Sequence, residues 1–131
     1  MNGSPHTTGT TRAVLAHADP TVREALRDLI VQGLGMNVVG EAGDQAMLQE
    51  QVIALRPDLV IVAWKLVADD AAAALGDLRD ARADARVIVL GPRPDKRHAA
   101  LAAGADAYIS MVDAPDVVAA ALKTQEPGGL S

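Results

Sequence analysis

The sequence contains no cysteine and no phenylalanine, and its only aromatic residues are one tryptophan and one tyrosine. Without cysteine there can be no disulfides, thiolate metal sites or cysteine nucleophiles. Few aromatics and a net charge of −5 argue against nucleic-acid binding, which uses stacking side chains and a basic face. No apolar run approaches the roughly 18 residues of a spanning helix, and Met1–Arg12 lacks the apolar segment of a secretory signal. We therefore predict a cytoplasmic protein that binds neither nucleic acid nor membrane.

The aliphatic residues of the sequence are numerous enough for one hydrophobic core. The chain has 131 residues, of which 50% are hydrophobic, and this length fits a single domain. The first eleven residues and the last eight are rich in Gly, Ser, Thr and Pro. We therefore predict a flexible leader over residues 1–11, a folded domain over 12–123 and a flexible tail over 124–131.

Short apolar runs alternate with segments of helical periodicity along the domain. The runs typical of strands are Ala13–His17, Met36–Gly40, Leu59–Ala63, Arg86–Leu90 and Ala107–Ser110. The helices are predicted to begin at Asp19-Pro20, Gly43-Asp44, Asp69, Pro94 and Ala114-Pro115. Strict alternation predicts an α/β fold with a parallel sheet, right-handed crossovers and helices on both faces.

In such a sheet the functional crevice lies outside the carboxyl ends of the strands. The segments that reach this edge are His17–Asp19, Ala63–Asp70, Gly91–Pro94 and Ser110–Asp113. These segments are where functional residues are expected.

Three stretches of the sequence resemble receiver domains of response regulators in two-component signalling. They are Asp19–Leu26 (DPTVREAL), Val38–Asp44 (VVGEAGD) continued by Leu55–Val60 (LRPDLV), and Ala99–Ile109 (AALAAGADAYI). They occur in the family's order and separation over about residues 13–122. The resemblance implies the doubly wound (βα)5, flavodoxin-like or CheY-like three-layer sandwich, with strand order 2-1-3-4-5.

Receivers of this family hold Mg²⁺ with an acidic pair after the first strand and are phosphorylated on an Asp ending the third. A Thr or Ser after the fourth strand and a Lys after the fifth contact the phosphoryl group. Here those five positions fall on His17, Ala18, Ala63, Gly91 and Met111. None of these residues can supply the family's chemistry, because Mg²⁺ requires hard oxygen ligands and the acceptor must be a carboxylate. We expect no metal, no cofactor and no catalytic activity.

The resemblance also implies an aromatic switch and an interaction face. Tyr108 occupies the switch position, where the aromatic ring of an active receiver turns inward as the Thr or Ser moves to the phosphoryl group. Without that partner, we expect Tyr108 to hold one state or to move with a bound protein. The face made by the fourth helix, fifth strand and last helix would carry Arg97, Tyr108, Val117, Val118 and Ala121.

Two groups of polar residues have both a functional and a structural interpretation. His17 and Asp19 could hold a metal, but two possible ligands without a third are weak evidence for a metal site. The simpler interpretation is that Asp19 caps the helix that begins at Pro20. Asp69 and Asp70 could replace the missing acceptor, but acidic residues before an alanine run favour a helix start.

Two other features remain open or favour the simpler interpretation. Trp64 follows the third strand. It could be an anchor for a binding partner or could pack over the emptied pocket, and the sequence favours neither role. A basic group begins the fourth helix: Arg93, Lys96, Arg97 and His98. Because the chain is negatively charged overall, we interpret this group as a solvated face and not as a patch for phosphate or nucleic acid.

The sequence therefore predicts a pseudo-receiver that works without phosphorylation, as an interaction module for a signalling protein or a second copy of itself. One alternative is a small-molecule sensor whose ligand contacts His17 and Trp64 in the emptied crevice. Another is a receiver phosphorylated on a different Asp, which requires a carboxylate pointing into that crevice.

Overall fold

The computed structural model describes residues 11–33, 35–81 and 84–110. The predictions for the leader, the last helix and the tail lie outside these residues, as do Met111, Val117, Val118 and Ala121. None of the helices within the described ranges combines the length and apolar character that crossing a membrane requires.

Five parallel strands form one sheet in the order β2-β1-β3-β4-β5, which confirms the predicted fold class. The strands are β1 (Arg12–Ala16), β2 (Asn37–Ala42), β3 (Leu59–Ala63), β4 (Arg86–Gly91) and β5 (Ala107–Ser110). The described α-helices of more than one turn are α1 (Pro20–Asp28), α2 (Gln45–Leu55), α3 (Ala71–Ala81) and α4 (Arg97–Ala103).

Helix starts follow the capping residues of the sequence. The Asp19 carboxylate accepts a hydrogen bond from the Thr21 N–H at 2.9 Å, and Pro20 takes the first position of α1. The Asp44 carboxylate accepts from the Met47 N–H at 2.8 Å before α2. Each cap satisfies a backbone donor that the first turn leaves unpaired, so the boundary is fixed locally.

Burial on both sheet faces explains why β3 has an uninterrupted apolar sequence. Val60 and Val62 pack on one face, beneath α2 and α3, whereas Leu59 and Ile61 pack on the other, beneath α1. All five residues of β3 are buried, as expected for a central parallel strand.

β1 and β4 differ from the predicted strands by one residue at one or both ends, since they span Arg12–Ala16 and Arg86–Gly91, and three other segments differ more. β2 begins one residue later and continues to Ala42, because Ala42 pairs with Ala16 and its carbonyl accepts from the His17 N–H at 3.0 Å. After α1 the chain continues through a π-helical turn, Leu29–Gly33.

The segment after β3 is the third difference. It was expected to be a loop before a helix starting at Asp69, but it forms a one-turn helix, Trp64–Val67, and a 3-10 turn, Ala68–Asp70. Val67 is buried there against the main core, which favours the helical turn over an open loop.

Candidate functional site: the crevice at the carboxyl ends of the strands

A cavity of about 380 Å³ lies at the carboxyl ends of β1, β3 and β4. It brings together residues from three of the four segments that were expected to reach this edge. Its walls are formed by His17, Ala18, Val22, Ala63, Trp64, Lys65, Leu66, Leu90, Gly91 and Pro92. We call this cavity the crevice.

The crevice walls contain no carboxylate among the residues that the structure describes. Ala63, at the end of β3, is buried and presents only a methyl group. No group of three or more metal-ligating side chains occurs anywhere in the described ranges. Mg²⁺ binding relies on carboxylate oxygens, and the described walls of the crevice offer none.

His17 is held in one orientation at the end of β1. Its Nδ1 accepts a hydrogen bond from the Asp19 N–H at 3.0 Å, which places the proton of the neutral ring on Nε2. Burial lowers the pKa of His17 below its usual value, and Arg23 and Lys65 lower it further, although Asp19 acts in the opposite direction. The ring is therefore a neutral donor at pH 7.

A carboxylate does lie near this edge, but two arginines bind it. Glu41, on β2, is 3.2 Å from the Arg23 Nε and 3.3 Å from the Arg27 Nε. Arg23 also donates to the His17 carbonyl oxygen at 2.7 Å. Glu41 is thus part of a structural network and does not line the crevice.

Asp69 and Asp70 are exposed and lie outside the walls of the crevice. The Asp70 carboxylate accepts from the Ala73 N–H at 3.2 Å, near the start of α3. Asp70 thus lies at a helix start, as the structural interpretation predicted.

Tyr108 points inward and lies directly against Gly91. The side chain is buried, and its hydroxyl donates to the Arg93 carbonyl oxygen at 2.5 Å. A Cβ atom on residue 91 would overlap the Tyr108 hydroxyl. Burial and the nearby Asp95 raise the pKa of this hydroxyl above its usual value, so it remains a donor at neutral pH. The ring can occupy this place because residue 91 is a glycine.

The described part of the predicted interaction face lies around this tyrosine. The Arg97 guanidinium is 5.8 Å from the centre of the Tyr108 ring, within the range of a cation–π contact. Leu101, one helical turn further along α4, is 43% exposed. Sequence reasoning missed Leu101, although its spacing from Arg97 indicated that both lie on one side of the helix.

Trp64 lies at the crevice, where the sequence left open whether it binds a partner or covers the emptied pocket. It is half-buried, packs against the main core and forms part of the crevice wall. Leu66 and Pro92 also line the crevice and lie within the segments expected at this edge, whereas Val22 and Leu90 line it from outside those segments. Their apolar character in the sequence was indistinguishable from that of core residues.

The sequence matches no protein-family model and no curated protein. Solved structures do match it, among them a receiver domain and a response regulator at 25% and 27% identity. The signal receiver domain of the response regulator NarL from Mycobacterium tuberculosis is 25% identical, with a TM-score of 0.75 over 88% of this chain and 96% of that one. A LuxR-family two-component response regulator from Aurantimonas sp. SI85-9A1 is 27% identical, with a TM-score of 0.78 over 88% of this chain and 84% of that one.

The fold is also that of CheY from Borrelia burgdorferi in its complex with CheX, BeF3 and Mg²⁺. That chain is 17% identical, with a TM-score of 0.75 over 91% of this chain and 92% of that one. By its fold and these structural neighbours, the chain is similar to receiver domains of the CheY-like class. Such a domain is a signalling module of two-component systems, not a catalytic enzyme.

Proposed function

We propose that this receiver domain signals without being phosphorylated, by binding a partner protein or a second copy of itself. The observation that carries the proposal is the composition of the crevice. Where a receiver needs carboxylates for Mg²⁺ and for the phosphoryl group, the described walls offer His17, Ala18 and Ala63. An alanine methyl group cannot form an acyl phosphate.

The position of Tyr108 supports the same proposal. In active receivers an inward aromatic ring accompanies phosphorylation, and the Tyr108 ring of this chain is inward as well. Gly91 leaves the space for it, and the hydrogen bond to the Arg93 carbonyl oxygen fixes it. The face around Arg97 and Leu101 is then in a single, binding-ready state.

Phosphorylation is tested by incubating the protein with acetyl phosphate and Mg²⁺ and measuring its intact mass. A phosphorylatable receiver domain treated in parallel is the control. We expect no added phosphoryl group on this chain. An acid-labile adduct on one of its Asp residues would instead support the alternative in which another carboxylate is the acceptor.

The interaction face is tested by sedimentation over a range of concentrations, with Leu101→Asp compared with Ile53→Asp. Both residues are exposed apolar side chains, at 43% and 58%, but Ile53 lies on α2. If the face joins two copies, only Leu101→Asp should lower the dimer fraction. A monomer at all concentrations would assign the face to a different protein, and equal effects of both changes would place the interface elsewhere.

A further inference from the structure

The crevice has the size and the surface of a small-molecule site. Its volume of about 380 Å³ lies within the range of about 300–1,000 Å³ that ligand pockets occupy. Trp64, Leu66, Leu90 and Pro92 provide apolar walls from two neighbouring segments of the sheet edge. An apolar body of modest size would remove these surfaces from water.

The charged side chain in the described walls of the crevice is a lysine. Lys65 is exposed and lines the crevice, and within residues 11–33, 35–81 and 84–110 no carboxylate forms an ion pair with it. His17 adds a neutral ring with one N–H, since its Nδ1 already accepts from the Asp19 N–H. The polar groups here are therefore donors, and they suit an acceptor with negative charge.

We propose that the crevice binds a small, largely apolar monocarboxylate. Its apolar body lies against Trp64, Leu66 and Leu90, and its carboxylate accepts hydrogen bonds from Lys65 and His17. A phosphate or a divalent cation fits less well, because desolvating two charges against apolar walls needs more polar partners than these. The site is independent of the proposed signalling function, since binding of a carboxylate requires neither phosphorylation nor its absence.

The test uses two probes with the same apolar skeleton, 4-cyclohexylbutyrate and 4-cyclohexylbutan-1-ol. Trp64 is the only tryptophan in the chain, so its fluorescence reports on the crevice wall, and calorimetry measures the affinity. We expect a saturable change with the carboxylate and binding of the alcohol weaker by about tenfold, the effect of one lost charge-assisted hydrogen bond. Lys65→Gln should remove most of that difference.

Two matched variants locate the binding. Ala18→Phe adds a large side chain to an exposed position in the crevice wall, whereas Ala72→Phe adds the same group to an exposed position of α3. Binding should be lost in Ala18→Phe and kept in Ala72→Phe. Circular dichroism checks that both are folded, and Lys65→Gln, an exposed change, tests the site without any added bulk.

Three results would overturn the proposal. They are the absence of a saturable response to the carboxylate, equal affinity for the alcohol, and a Trp64 response that survives Ala18→Phe. None of them affects the measurement of phosphorylation, so a failure of this site and a failure of the proposed function are distinguishable.

Discussion

The amino ends of the strands are joined by ion pairs and hydrogen bonds, whereas their carboxyl ends surround an apolar crevice. At the amino edge, the Asp106 carboxylate binds Arg79 at 2.7 Å and the Val87 N–H at 2.7 Å. The Asp58 carboxylate likewise accepts from the Arg12 N–H at 3.1 Å, at the start of β1. These contacts tie neighbouring strands and helices together.

At the carboxyl edge, the corresponding positions carry small or apolar side chains. Ala63 ends β3 and Gly91 ends β4, and Tyr108 fills the space above the glycine. In α/β folds the carboxyl edge normally carries the chemistry. Here the described walls of the crevice carry no carboxylate, and the ion pairs near this edge, from Arg23 and Arg27 to Glu41, lie outside those walls.

The largest expected effect is at the carboxyl edge, in Gly91→Ala. The new methyl group would overlap the Tyr108 hydroxyl, and overpacking of a core costs about 1–3 kcal/mol of unfolding free energy, with the upper end expected for so close an overlap. Gly76→Ala is the matched control, because a Cβ there meets nothing within 4 Å and alanine favours the interior of α3 by about 0.5–1 kcal/mol. Urea denaturation measures both.

The same pair can be combined with Tyr108→Ala to isolate the contact. If the clash is with the tyrosine, Gly91→Ala should cost much less in the Tyr108→Ala background. An equal cost in both backgrounds would show that the glycine is needed for another reason.

The next effect is at the amino edge, in Asp106→Ala. The change leaves the buried Val87 N–H without its carboxylate partner and frees Arg79, which should lower the unfolding free energy by about 1–2 kcal/mol. Asp69→Ala, an exposed residue beyond the crevice, should change it by less than about 0.5 kcal/mol. Thermal unfolding of the two variants checks this, and equal losses would remove the distinction between the two edges.

Tyr108→Phe should have a smaller effect. It keeps the ring but removes the hydrogen bond to the Arg93 carbonyl oxygen, at an expected cost of about 1 kcal/mol. Denaturation measures the stability, and the Arg93 amide resonance reports on the segment that the bond fixes. No change in either would mean that packing against Gly91 alone holds the ring.

The smallest effect is a pH dependence from His17. Because burial holds its pKa below the usual value of 6.5, the unfolded chain binds the proton more readily. The stabilisation is thus complete above pH 6.5 and is lost as the pH falls through the folded pKa. In His17→Gln, unfolding free energy should fall less steeply between pH 6.5 and pH 5.

The control for this measurement is His98→Gln, which removes an exposed imidazole from α4. A reduced slope in that variant, with His17→Gln behaving like the unchanged protein, would contradict the assignment to the crevice histidine.

The sequence predicted two strands to the residue. β3 has the predicted ends, Leu59–Ala63, because a fully buried, largely β-branched run defines it, and β5 also has its predicted ends, Ala107–Ser110. The one-turn helix Trp64–Val67 was missed, because its four residues contain no cap or stop signal and their helical turn depends on packing of Val67.

The candidate site was predictable only in part. The resemblance located His17, Ala63 and Gly91 at one edge, and the structure brings all three to the crevice. The contact between Tyr108 and the Arg93 carbonyl oxygen could not be read from the sequence, since any residue offers a backbone carbonyl. The path of the chain after β4 determines which carbonyl oxygen the Tyr108 hydroxyl meets.

The most direct test of phosphorylation independence is a titration of isotope-labelled protein with beryllofluoride and Mg²⁺, followed by ¹H–¹⁵N NMR. Beryllofluoride is a phosphomimetic, so it imitates a phosphoryl group on an acceptor carboxylate. With no carboxylate in the described crevice walls and Tyr108 already inward, we predict that the Gly91 and Tyr108 amide resonances stay unchanged. Saturable shifts of both resonances that require beryllofluoride and Mg²⁺ together would contradict the account.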